Sequence, residues 1–163
     1  MKITEMHKFA DKQKWMNRFF KAYSGETLGD RPQLYGSNVR FFLLSNLKSE
    51  IGFVRINDKS DLFDYPCPFQ IWNLTEGYVK PPYRGSGVLK KLIEYVVKEC
   101  EVRMMYIETD RFLKNRLYYQ SLGFNNHYSV KNGELTWAFQ DDVWPYVVQR
   151  NKQKHELNLS LCN

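Results

Sequence analysis

The sequence predicts an α/β domain: a mixed, mostly antiparallel sheet with a central parallel strand–helix–strand unit, flanked by helices. Three observations carry this. Between residues 69 and 100 a strand, a two-glycine turn and an amphipathic helix follow one another, and a further strand follows at 102–109. Two strands joined through a helix demand a parallel pair with a right-handed crossover. Hairpin signals stand on both sides of that unit, and the 163-residue length suits one domain, residues 1–163, with a core of its own.

The elements follow in order. Phe9, Trp15, Met16, Phe19, Phe20 and Tyr23 recur at near-helical spacing, which predicts an amphipathic helix within the first 25 residues. Gly25, Gly29, Pro32 and Gly36 then punctuate a loop. Val39–Ser45 and Glu50–Ile56 read as two strands of a hairpin closed by Asn46-Leu47-Lys48-Ser49. Asp58–Pro68 is polar and turn-rich. Phe69–Val79 reads as a strand whose Gly77 marks a bulge or a close backbone approach.

The next helix is the clearest. Val88, Leu89, Leu92, Ile93, Val96, Val97 and Cys100 form one face of it, and Lys90, Lys91, Glu94, Lys98 and Glu99 the other. Val102–Thr109 reads as a strand, and Leu113–Leu122 as a helix that Gly123 caps. Asn132-Gly133 between Tyr128–Val130 and Leu135–Phe139 is a type I′ hairpin signal. A short helix is expected around Val143–Gln149, followed by a frayed basic tail at about 150–163.

Composition excludes several classes. No stretch reaches the roughly 20 apolar residues of a membrane helix, and the N-terminal Met1-Lys2-Ile3-Thr4-Glu5 lacks an apolar signal segment. Cys67, Cys100 and Cys162 show neither CxxC nor Cys/His metal spacing. No metal or disulfide framework is therefore expected, and a reducing cytoplasm is the expected location. The formal charge of +6 suits anionic partners, a macromolecule or a phosphorylated cofactor. It equally suits ordinary solubilising charge.

The segment richest in chemistry is Val79-Lys80-Pro81-Pro82-Tyr83-Arg84-Gly85-Ser86-Gly87-Val88-Leu89. Two glycines between a strand and a helix let backbone N–H groups converge without a Cβ in the way. The positive end of the helix dipole lies behind them, so the turn suits a pyrophosphate. No Gly-Lys-Ser/Thr follows, and no third glycine, so it is neither a Walker loop nor a Rossmann fingerprint. Taken alone, the two glycines also fit a purely structural turn.

The surrounding residues carry a resemblance. Val79, Pro81, Arg84, Gly85 and Gly87 match in register the central motif of the GNAT superfamily, Val-x-Pro-x-x-Arg-Gly-x-Gly-x-Gly/Ala. Leu89 departs from it, standing where the family prefers Gly or Ala. Tyr119-Gln120-Ser121-Leu122-Gly123-Phe124 is similar to the family's Tyr-x-x-Leu-Gly-Phe, and Ile51-Gly52-Phe53 to its Val-Gly-Phe strand. The matches span residues 50–124.

The resemblance implies an N-acetyltransferase that moves an acetyl group from acetyl-CoA to a primary amine. It implies a coenzyme A site formed by Tyr78, Val79, Arg84, Gly85, Ser86, Gly87, Val88 and Leu89. In that reading freed backbone groups near Tyr78 and Val79 bond the pantetheine arm, and Gly77 provides the bulge. Tyr119 holds the position from which family members protonate the leaving thiolate, with Tyr118 as its competitor. Glu76, on the strand beside the thioester, is the candidate base, directly or through water; Glu108 and Asp110 are the alternatives, and a solvated Glu76 is the plain one. Where the family often carries an Asn, seven residues before the motif Tyr, this chain has Phe112. Asn115 either takes over that contact or is a surface residue. His7, His127 and His155 are scattered and read as surface.

Other readings keep the fold: a longer acyl or aminoacyl donor, or a non-catalytic module that binds acyl-CoA. A nucleic-acid-interacting module is prompted by Arg150, Lys152 and Lys154 in the tail. The expected assembly is a monomer or homodimer away from any membrane, with the acceptor's class open.

Overall fold

Near-continuous burial at residues 39–45 and 50–58 is what a strand covered on both faces requires, and the hairpin built from them organises the first half of the molecule. The structure, a computed structural model, describes residues 1–23, 36–60, 69–129 and 135–140. The Gly25, Gly29 and Pro32 loop positions, most of the Asp58–Pro68 loop, the Asn132-Gly133 turn and the tail with its expected helix lie outside the described residues. The described residues form two compact units: those within 1–58 and 72–102, and those within 59–71 and 103–140.

The first unit holds β1 (Lys2–Glu5), α1 (Phe9–Tyr23), β2 (Val39–Ser45), β3 (Glu50–Asp58), β4 (Ile71–Val79) and α2 (Val88–Glu99). Its strands pair antiparallel in the order β1-β2-β3-β4. Four-residue β1 is absent from the sequence reading, because so short a segment shows no usable period. The β2–β3 connection is tight as expected: Asn46 Oδ1 accepts from the N–H groups of Lys48 and Ser49 at 2.9 and 2.7 Å.

Two helices cover this sheet. On α1, Trp15 and Met16 are fully buried and pack with Val39, Phe41, Leu43, Phe53 and Tyr78. The Trp15 ring lies 5.6 Å from Phe53 and 6.0 Å from Tyr78. The Arg18 and Lys80 cations stand over it at 4.7 and 5.5 Å. Helix α2 buries Val88, Leu92, Ile93 and Val96 against β2 and β3. Each such side chain contributes about 1.5–3 kcal/mol. Arg40 on β2 ties three elements together: it forms a two-pronged ion pair with Glu5 and donates to the Cys100 Sγ at 2.9 Å.

Gly52 explains the Ile51-Gly52-Phe53 pattern. A Cβ there would stand 2.6 Å from the Tyr78 carbonyl oxygen, so only glycine lets β3 and β4 pair at this point. The β4 bulge differs from expectation. Gly77 pairs regularly with Val54, and the extra residue is Thr75, since Arg55 faces Glu76 while Ile56 faces Leu74. The Thr75 hydroxyl donates to the Arg55 carbonyl at 3.0 Å and satisfies an acceptor beside the break.

The second unit holds β5 (Met104–Glu108), α3 (Thr109–Lys114), α4 (Arg116–Ser121), β6 (Asn126–Ser129) and β7 (Leu135–Gln140). β7 pairs antiparallel with both β5 and β6, which is the hairpin the sequence predicted. The helix expected at 113–122 begins at Thr109 and is two helices broken at Asn115, whose φ of −140° leaves the helical region. The break has a packing cause: Phe112 is fully buried and stacks on Trp137 at 3.6 Å, fixing α3 against β7. Among the described residues no helix is long and apolar enough to cross a membrane.

Candidate active site

At the end of β4 the chain turns through Pro81–Tyr83, a single 3₁₀ turn opened by Pro81. Gly85 and Gly87 follow with φ of +76° and +75°, a left-handed conformation that glycine adopts without strain. Among the described residues a Cβ at either position would meet nothing within 4 Å, so the backbone path, not crowding, selects glycine here. The same open space is room for a ligand. Gly87 caps α2 without a side-chain hydrogen bond. The first-turn N–H groups of Val88, Leu89 and Lys90 thus have no intrahelical partner and point out of the helix end.

The side chains around the turn are arranged to hold it. The Ser86 hydroxyl donates to the Tyr83 carbonyl at 2.6 Å. The exposed Arg84 folds back, its Nε donating to the Val79 carbonyl at 3.0 Å, with its guanidinium 5.8 Å from the Tyr78 ring. This occupies one of the backbone groups expected to stay free at Tyr78 and Val79. Tyr78 and Val88 point into the core, so any contact from these two to a phosphate or amide is through their backbone. Leu89 is half-buried.

Glu76 is not a solvated strand residue. Its Oε2 accepts from the Arg55 Nε and its Oε1 from the Arg55 Nη2 at 3.0 Å. Arg55 is only 4% exposed and also donates to the Asn57 Oδ1 at 3.3 Å. The sequence reading missed Arg55, although a charge amid Phe53, Val54 and Ile56 signals a buried ion pair. Glu108 and Asp110, the alternative carboxylates, are both exposed in the second unit.

In that unit, Tyr119 is 3% exposed. Its ring lies between Phe112, Tyr118 and Phe124 at 6.4, 5.6 and 5.8 Å. The cause of this placement is the Leu-Gly-Phe segment. Gly123 N–H donates to the Gln120 carbonyl and Phe124 N–H to the Tyr119 carbonyl, which closes α4 as a Schellman motif with its hydrophobic contact. A Cβ on Gly123 would press to 2.7 Å from the Phe139 ring. The Tyr119 hydroxyl accepts from the Arg111 Nε at 3.1 Å. Asn115 is exposed at the α3–α4 break, where its carbonyl accepts from the Tyr119 N–H at 3.1 Å. The structure therefore brings the turn residues together in one unit and Asn115 with Tyr119 in the other. Among the described residues no group of three or more His, Cys, Asp or Glu could hold a metal ion.

Comparison with known proteins gives this geometry its context. Residues 37–126 match the sequence pattern of the acetyltransferase (GNAT) domain. A GNAT-family acetyltransferase from Staphylococcus aureus Mu50 is similar in structure, at 16% identity, 85% coverage of this chain, 99% of that one, and a TM-score of 0.59. The ribosomal-protein-S18-alanine N-acetyltransferase of Escherichia coli gives 18%, 84%, 91% and 0.56. An aminoglycoside 6'-N-acetyltransferase complexed with coenzyme A gives 13%, 85%, 94% and 0.56. Sequence comparison with curated proteins finds no match. At these identities the likeness shows the fold, which is the mixed α/β fold the sequence predicted.

Proposed function

The chain belongs to the GNAT acetyltransferase family, and on that premise we propose that it transfers an acetyl group from acetyl-CoA to a primary amine, with Tyr119 as general acid. The observation that carries the reading is the turn at Gly85 and Gly87. Two left-handed glycines with open space above them lead into a helix N-terminus with no side-chain cap, an arrangement that suits a phosphorylated group and supports this reading. The residues fit coenzyme A: backbone N–H groups from Gly85 to Lys90 meet the pyrophosphate, and the Arg84 guanidinium adds positive charge. Bound acetyl-CoA supplies an activated acetyl thioester.

The chain's own groups then handle protons. An amine nucleophile must lose one, and a departing thiolate must gain one. The Tyr119 phenol, fixed by its ring contacts, donates to sulfur. Each Glu76 oxygen accepts one bond from Arg55 and keeps a second lone-pair direction, so Glu76 takes the amine's proton through water and stays oriented by Arg55. Support for this reading is the orientation of both groups by neighbours, which lowers the cost of placing them.

The test has two steps. Acetyl-CoA raises the melting temperature, because a ligand of the folded state stabilises it by mass action. Thiol release is then followed with acetyl-CoA and three amines: kanamycin, a peptide beginning with alanine, and free lysine. No thermal shift at millimolar acetyl-CoA overturns the reading. A shift with no thiol release from a wide amine panel turns it toward a non-catalytic acyl-CoA-binding module.

A further inference from the structure

We propose that Arg111 is a positioning residue for acetyl transfer: its guanidinium holds the Tyr119 hydroxyl as a hydrogen-bond acceptor, turning the phenolic proton away from itself and meeting the phenolate that proton transfer leaves. The inference rests on the reading of Tyr119 as the acid.

The geometry comes from the broken helix. Residues 111 and 119 on one continuous helix would lie about 12 Å apart along its axis. The break at Asn115 instead lets the Arg111 Nε, on the first turn of α3, reach the Tyr119 Oη on α4 at 3.1 Å. An arginine nitrogen in this contact can only donate. The tyrosine oxygen must therefore accept there, and its single proton points elsewhere. The contact is part-buried, where a charge-assisted bond is at its strongest.

The reaction uses this arrangement at one step. The amine nitrogen bonds to the acetyl carbonyl carbon, the carbon–sulfur bond breaks, and its electron pair goes to sulfur. The Tyr119 proton moves to that sulfur, giving the free thiol. The phenolate, opposite the Arg111 guanidinium, regains a proton equivalent to the one the amine lost. The net change is thioester plus amine to amide plus thiol.

Steady-state kinetics with acetyl-CoA and whichever of the three amines above is acetylated test this, on Arg111→Gln, Arg111→Lys, Tyr119→Phe and the Arg111→Gln/Tyr119→Phe double variant. Arg111→Gln is expected to lower kcat about 10–100-fold, the worth of one charge-assisted bond, with the KM for acetyl-CoA unchanged. Arg111→Lys recovers part of the loss. In the Tyr119→Phe background, Arg111→Gln costs less than about 3-fold, because residues acting through one group are not additive. Independently of turnover, protein labelled at the tyrosine Cζ carbons shows the Tyr119 resonance, identified by its loss in Tyr119→Phe, moving in Arg111→Gln. Additive losses in the double variant, a raised KM alone, or an unmoved Tyr119 resonance overturn the proposal; where Arg111→Gln folds poorly, the kinetics and the Tyr119 resonance of Arg111→Lys decide. Full activity in Tyr119→Phe removes the acid reading itself. A disabled Tyr119→Phe beside a fully active Arg111→Gln removes only the role of Arg111.

Discussion

The glycine turn and the Tyr119 helix both match short sequence motifs, yet they are built on opposite principles. The turn is exposed, its glycines face open space, and what it presents is backbone. The helix end is closed: Tyr119 lies among aromatic rings, its hydroxyl is engaged, and Gly123 is pressed against Phe139. A surface that must receive a ligand keeps space free and uses donors common to every residue. A group that must hold one orientation needs neighbours on every side. Glycine serves the first through its backbone freedom and the second also through its lack of volume.

The largest expected effect tests the closed region. Tyr119→Phe keeps the ring and removes the proton donor, so turnover falls by roughly 10²–10⁴-fold while coenzyme A affinity stays within about 2-fold. Tyr118→Phe is mild beside it. Acyl-transfer rates and coenzyme A titrations on both variants check this, and a large loss in Tyr118→Phe alone moves the acid one residue back.

The next effect sets the two kinds of glycine against each other. Gly123→Ala meets both a positive φ and the Phe139 ring, and should destabilise by about 2–4 kcal/mol. Gly85→Ala meets only the conformational cost of about 1–2 kcal/mol. Urea unfolding of both variants gives the difference, and equal losses would erase the distinction drawn between the regions.

Gly87→Asp sharpens the comparison from the other side. Aspartate tolerates the left-handed conformation, so the fold survives, but its carboxylate repels the pyrophosphate. Coenzyme A affinity should fall at least about 10-fold by calorimetry. Unchanged affinity would make the turn purely structural.

The smallest effect lies away from both regions. Burial pushes the Cys100 thiol from 9.0 up to about 11, against the opposing influence of Arg40. From pH 9 to pH 11 the unfolded chain gives up this proton while the folded chain keeps it, so stability falls as pH rises through that window. Cys100→Ala lacks this contribution, and its melting temperature should decline less steeply than the wild type's over those pH values. Parallel curves would refute the assignment.

How much of this was legible in the sequence depends on what decides each feature. The start of α2 and the glycine turn were legible because local backbone chemistry determines them. Tyr119 was placed by its motif, and its Schellman closure follows from Leu122, Gly123 and Phe124 alone. The division at Asn115 was not legible, because no glycine or proline interrupts residues 113–122. What breaks the helix is the stacking of Phe112 on Trp137, a contact distant in sequence. For the same reason Arg111 carried no signal. The bulge fell on Thr75 instead of Gly77, because pairing with β3 sets register and β4's residues alone do not. Arg55 was the avoidable omission, since a guanidinium in an apolar strand needs a counter-charge and Glu76 stands on the neighbouring strand.

The closure of α4 also bears on entropy. A free tyrosine side chain explores several rotamers, and freezing it costs on the order of 1 kcal/mol. In this molecule the Tyr119 carbonyl is tied to the Phe124 N–H, its ring is flanked by aromatics and its hydroxyl is held by Arg111. That freezing is complete when the second unit folds. Under the proposed role of Tyr119, a ligand arriving later would find the phenol already ordered, and none of its binding free energy would be diverted to arranging it.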